Sequence, residues 1–180
     1  MQDNSLISNV VLIGFMGTGK STVGATLASR LDYSFIDLDE EIVQRDGRSI
    51  PDIFAQDGEA YFRDAESCAL ADLMNKERVI IATGGGCVLR EANCKVMQER
   101  GFVVQLTAEL DTIVHRVKGD HNRPLLQGDA SERVRSLMTA RRGKYDFAHM
   151  VIPTDDLQVE EISDAVIKAF TSFQSAGHVL

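Results

Sequence analysis

A run of β-branched and apolar residues, Asn9-Val10-Val11-Leu12-Ile13, gives way to Gly14-Phe15-Met16-Gly17-Thr18-Gly19-Lys20-Ser21, after which Val23, Leu27 and Leu31 recur four apart. The run predicts a strand buried on both faces in a parallel sheet, and the recurrence predicts an amphipathic helix. The octapeptide between them fits G-x-x-x-x-G-K-[ST]. Its glycines let successive backbone N–H groups turn inward at a helix N-terminus, where they can surround phosphate oxygens. Lys20 then neutralises β- and γ-phosphate charge, the Ser21 hydroxyl reaches Mg²⁺, and Thr22 extends the phosphate contacts. Gly17, Thr18, Gly19, Lys20, Ser21 and Thr22 are therefore the expected nucleotide-binding residues, with ATP and Mg²⁺ as ligands. A turn that merely joins two elements is the alternative, and the order of strand, motif and helix argues against it.

The same alternation continues along the chain. An extended segment is expected over Ser34–Asp39, and Ser49 with Asp52 reads as a helix cap. After Gly58 a longer helix carries Phe62, Ala65, Ala69, Leu70 and Leu73 on its apolar side, with Arg63 near its start. Val79–Ala82, Phe102–Leu106 and Met150–Ile152 complete a set of five strands, separated by helical patterns. The stretch 119–129 has little periodicity and contains Asn122-Arg123-Pro124, so it reads as a loop that could serve as a lid. Val159, Ile162, Val166, Phe170 and Phe173 mark the last helix, leaving a tail at about 174–180. The 180 residues suit a single α/β domain with a parallel sheet and ligands at the carboxyl ends of its strands.

Charge and cysteine content narrow the chemistry. A net charge of −8 argues against a nucleic-acid footprint, which needs clustered Lys and Arg, and favours a small-molecule substrate. Cys68, Cys87 and Cys94 show no C-x-x-C spacing and leave an odd thiol, which points to a reducing cytosol. The first nine residues carry no basic residue, and the following apolar run is short and interrupted by Gly14, so no signal peptide or membrane span is expected. The four histidines show no metal-ligand spacing.

Asp37 and Asp39, two apart in an extended segment, should leave the same face at the end of the strand beside the phosphate loop. The alternative is that one of them caps a helix opening through Glu40 and Glu41. Thr83-Gly84-Gly85-Gly86 closes a buried strand, and three adjacent glycines suit close approach of a ligand to the backbone, although a tight turn would also use them. Arg63, Arg123 and Arg141 are cationic candidates, since a guanidinium offers a planar fork to carboxylate or phosphate. Arg141 lies in line with Val134, Leu137 and Met138 on one helical face, unlike Arg142.

GFMGTGKSTVG, FIDLD, the Phe62-Arg63 pair, TGGG and RPLL, in this order over most of the chain, resemble the shikimate kinases. The resemblance implies a nucleoside-monophosphate-kinase-like fold, a three-layer P-loop kinase with a five-stranded parallel sheet and a mobile lid. It implies transfer of the ATP γ-phosphoryl group to the 3-hydroxyl of shikimate, in aromatic amino-acid biosynthesis, by a monomer. It further implies that Asp39, Arg63, Arg141 and Gly84, Gly85 and Gly86 hold shikimate, with both arginines on its carboxylate, and that Asp37 lies near Mg²⁺ and the reacting hydroxyl. Arg123 matches a lid arginine that reaches the phosphates, and Arg116 a residue that flanks adenine. After Arg141 the family commonly shows a Pro-Leu-Tyr run, where this chain has Arg142-Gly143-Lys144-Tyr145. Another small-molecule kinase of the same fold, such as a gluconate kinase, is the nearest alternative. A GTP-dependent switch is disfavoured because Asn75-Lys76-Glu77-Arg78 lacks the Asp of a guanine reader.

Overall fold

β1 (Val10–Gly14) lies at the centre of a five-stranded sheet in the computed structural model, which describes residues 7–117 and 130–177. It is flanked by β3 (Val79–Ala82) and β4 (Phe102–Thr107), with β2 (Ser34–Asp37) beyond β3 and β5 (Met150–Pro153) beyond β4. All four pairings are parallel. The strand order β2-β3-β1-β4-β5 sends the chain to one side of β1 and then to the other. A crevice therefore opens at the carboxyl ends of the central strands, as α/β sheets do where the direction of winding changes.

Period-two geometry makes β1 serve two cores at once. Val11 and Ile13 face a cluster with α2 (Leu38–Asp46), α3 (Ile50–Gln56), α4 (Gly58–Leu73) and α5 (Glu91–Arg100), built from Leu38, Ile42, Ile53, Phe62, Leu70 and Met97. Val10 and Leu12 face α1 (Lys20–Leu31) and α8 (Val159–Ser175) through Val23, Leu27, Ile162, Val166 and Phe170. The parallel α/β sheet is the one expected from the strand–helix alternation, and its three layers are those implied by the resemblance. Beside the loop after β1, Phe15 and Met16 pack with Ile113 and Val117 of α6 (Leu110–Val117) and with Val134 of α7 (Ala130–Ala140).

Two expectations are corrected. The extended segment stops at Asp37, and Asp39 stands in the first turn of α2, so the two carboxylates do not share a strand face. The reason is local: Asp37 Oδ1 accepts a hydrogen bond from Asp39 N at 3.0 Å, capping the helix that opens at Leu38. The last helix also outlasts its apolar pattern, running to Ser175, where Gln174 Nε2 donates to the Ile7 carbonyl at 3.0 Å. The stretch 119–129, with Arg123, lies outside the described residues. Among the described residues no helix is long and apolar enough to cross a membrane.

Candidate active site

The loop after β1 owes its shape to glycine. Gly17 and Gly19 have φ of 76° and 89°, left-handed values that side chains disfavour, and a Cβ on Gly14 would lie 2.2 Å from the Leu106 carbonyl oxygen of β4. The last residue of β1 is thus pressed against its neighbour strand, and the loop that follows delivers the chain into the N-terminus of α1. Lys20 is buried and its Nζ donates to the carbonyls of Gly14 (3.0 Å) and Phe15 (2.8 Å). Thr18 Oγ1 donates to the Phe15 carbonyl at 2.8 Å, which fixes the inner turn. Ser21 and Thr22 are exposed at the helix start.

Ser21 Oγ donates to Asp37 Oδ2 at 2.6 Å, while the other oxygen of that carboxylate caps α2. One aspartate therefore joins the nucleotide loop to the end of β2. Hard oxygen donors of this kind, a hydroxyl and a carboxylate beside a phosphate site, suit a divalent cation that keeps part of its water shell. Asp39 points the other way, toward the turn after β3.

That turn explains its three glycines by space. A Cβ on Gly84 would sit 2.7 Å from Asp39 Oδ1, one on Gly85 3.3 Å from Arg141 Nη1, and one on Gly86 2.4 Å from Arg63 Nη2. Each glycine seats one of the three polar side chains singled out from the sequence. Gly85 also places its missing Cβ 3.3 Å from Met16 N, so the turn borders the phosphate loop directly. The geometry thus gathers Asp39, Arg63, Arg141 and the glycine turn against the nucleotide loop.

Both arginines are buried, Arg63 at 8% and Arg141 at 4% exposure. Arg63 Nη1 donates to Glu66 Oε2 at 2.8 Å, and its Nε and Nη2 donate to Glu59 Oε1 at 3.2 and 3.1 Å. Arg141 stands over the Phe15 ring, 5.5 Å from its centroid, and its Nη1 has no hydrogen-bond partner among the described residues. Glu66 is wholly buried, and its Oε1 likewise has no hydrogen-bond partner there. Burial pushes the Glu66 carboxyl up to about 7 against the opposing pull of Arg63 and Arg141, with Asp39 adding to the rise. Polar atoms left open in a buried site are costly unless a ligand completes them, so this pocket is suited to a small anion bearing hydroxyls.

Arg116 Nη1 donates to the Gly17 carbonyl (3.1 Å) and Thr154 Oγ1 (3.2 Å), and its Nη2 to the Thr154 carbonyl (3.2 Å). It therefore brackets the tip of the loop and the segment after β5. Arg142, by contrast with Arg141, is exposed. Two functional groups escaped the sequence reading. Glu66 falls on the apolar face of α4, four residues after Phe62, and that phase could have revealed it. Tyr145 lies in an irregular turn, yet its hydroxyl donates to the Gly85 carbonyl at 2.7 Å and so fixes the glycine turn.

Known proteins resemble this chain over nearly its whole length. A family model described as shikimate kinase matches residues 16–171. A shikimate kinase of Geobacter sulfurreducens is 48% identical over 155 residues, 86% of each chain. One from Pelotomaculum thermopropionicum is 42% identical over 162 residues, 89% of this chain and 94% of its own. The shikimate kinase of Acinetobacter baumannii, solved in complex with shikimate, superposes with a TM-score of 0.88 at 34% identity, covering 92% of this chain and 94% of that one. With a family model matching residues 16–171 and relatives more than 40% identical over most of the chain, the chain belongs to the shikimate kinase family.

Proposed function

We propose that the chain transfers the γ-phosphoryl group of ATP, with Mg²⁺, to the 3-hydroxyl of shikimate, giving shikimate 3-phosphate and ADP. The observation that carries this reading is the glycine turn, where Gly84, Gly85 and Gly86 seat Asp39, Arg141 and Arg63 beside the phosphate loop. Arg63 and Arg141 receive the substrate carboxylate, a fork-shaped match for guanidinium. Asp39 accepts from the ring hydroxyls and orients the attacking one. The backbone N–H groups of Gly17 to Thr22 and the Lys20 ammonium hold the phosphates, and Arg123 joins them from the lid segment. Ser21 and Asp37 would hold Mg²⁺, which supplies neutralisation of phosphate charge when bound. Arg116 flanks the adenine from its bracket beside Thr154.

The reaction then asks little covalent chemistry of the protein. The acceptor oxygen forms a bond to the γ-phosphorus as the bond to the ADP oxygen breaks, and the hydroxyl proton leaves late, toward Asp39 or water. Positioning and charge stabilisation contribute most of the acceleration. Three unbridged cysteines suit a cytoplasmic enzyme, and we read the single domain as acting as a monomer. A coupled ADP-release assay with Mg-ATP and a panel of shikimate, gluconate and nucleoside monophosphates tests the reading. Turnover is expected with shikimate alone; turnover with only another acceptor would overturn the substrate.

Gly86→Ala gives a finer test. Gly86 has φ of −99°, which alanine adopts freely, so the fold should persist. The added methyl must push the Arg63 guanidinium aside. KM for shikimate is expected to rise by about 10- to 100-fold, in line with the cost of misplacing a positioning group by an ångström, with KM for ATP unchanged. Steady-state kinetics in both substrates checks it.

A further inference from the structure

Arg63 is flanked by two carboxylates that hold it very differently. Glu66 is wholly buried and accepts from Nη1 at 2.8 Å, the length of a strong charge-assisted hydrogen bond. Glu59 is half-exposed at the mouth of the site and offers a single oxygen to both Nε and Nη2 at 3.2 and 3.1 Å. The first is a fixed partner, and the second is a weak one already in contact with water.

The charges around this guanidinium make that difference matter. Arg63 and Arg141 bring two positive charges, and Glu59, Glu66 and Asp39 surround them with three carboxylates. An incoming carboxylate would meet a cluster already supplied with anions, unless one of them gives way. Asp39 is seated at Gly84 and Glu66 has no route to solvent. Glu59 alone of the three stands half in water, on the outer edge of the Arg63 fork. Its rotation outward exchanges one carboxylate for another of the same chemistry.

We propose that Glu59 is a resident competitor for the Arg63 guanidinium, occupying its Nε and Nη2 edge until the substrate carboxylate arrives and thereby setting acceptor affinity. The proposal rests on the reading of shikimate as the acceptor. Glu59 keeps the guanidinium neutralised and in place in the free enzyme, and this weakens binding of the very group that Arg63 serves.

Calorimetric titration of wild type, Glu59→Gln and Glu59→Ala with shikimate and with its neutral carboxamide tests this. Kd for shikimate is expected to fall by about twofold in both variants, the worth of an exposed ion pair four apart on a helix. Kd for the carboxamide should not change, because no second carboxylate then competes. A Kd for shikimate that is unchanged or higher would overturn the proposal and make Glu59 a support for Arg63, and so would an equal gain for both ligands. Wild type that binds no shikimate would overturn the substrate reading and the proposal with it.

Discussion

Replacing Lys20 with methionine is expected to lower kcat by about 10²- to 10³-fold, the usual loss when one preorganised charge donor is removed from a developing oxyanion. Methionine keeps the length and apolar stem of the side chain, so packing in this buried position survives. What disappears is the ammonium, which in the free protein is held by the carbonyls of Gly14 and Phe15. Those two bonds hold the charge above the loop's own backbone, so the phosphates meet a cation already in place. Their loss leaves two carbonyls to be satisfied by water, and stability should fall by only about 1 kcal/mol. A coupled assay for kcat beside a urea titration checks both halves. A full loss of folding, or kcat within a few-fold of wild type, would contradict this account of Lys20.

Arg63→Ala should act on substrate and fold together. Truncating one member of a buried, hydrogen-bonded charge pair typically costs 2–5 kcal/mol of binding, so kcat/KM for shikimate is expected to drop by about 10²- to 10³-fold. Nucleotide affinity should stay as it is, because Arg63 touches none of the loop residues that hold phosphate. The stability effect should depend on pH. The Glu66 carboxyl, raised to about 7 by burial, holds its proton more tightly folded than unfolded, so its contribution to stability declines as pH rises from the ordinary carboxylate range to about 7. Without Arg63 the same carboxyl is pushed higher still, and the decline continues above 7. The gap between wild type and variant should therefore be smallest at pH 5.5 and widen by about 1 kcal/mol by pH 8, since wild-type Glu66 stops losing stability at about 7 while each further pH unit costs the variant up to about 1.4 kcal/mol. Urea unfolding at the two pH values measures it. A gap that narrows as pH rises would sink the assignment of Glu66 as the buried partner.

The legible parts of this molecule are those where a local rule and the tertiary structure agree. β1 reads as a buried strand because it is buried on both faces, and the loop after it carries its phosphate chemistry in its glycines. Arg141 could be chosen over Arg142 from helical phase because Leu137 and Arg141 are joined by a backbone hydrogen bond of 3.1 Å, which extends α7's register past its last residue. Asp39 was misplaced because alternation was carried one step too far. The cap on Asp37 turned the chain into a helix, a competition between strand and cap that residue type alone leaves open. Glu66 was legible by the phase that revealed Arg141, but a glutamate among alanines and leucines reads as surface until its arginine is seen beneath it. Tyr145 was not legible. Its contact with Gly85 spans 60 positions and depends on an irregular turn with Gly143 at φ 77°.

The seat of Gly14 against β4 has a consequence for how the protein is made. The phosphate-binding octapeptide leaves the ribosome well before the neighbours on which its shape relies. Thr83 N donates to the Leu12 carbonyl on one side of β1, and the Leu106 carbonyl backs Gly14 on the other. At roughly 5–20 residues per second, the nascent chain carries the motif for several seconds before either neighbour exists. During that interval the loop is sequence without form, unable to capture nucleotide, and competence for ATP arrives only when the centre of the sheet closes.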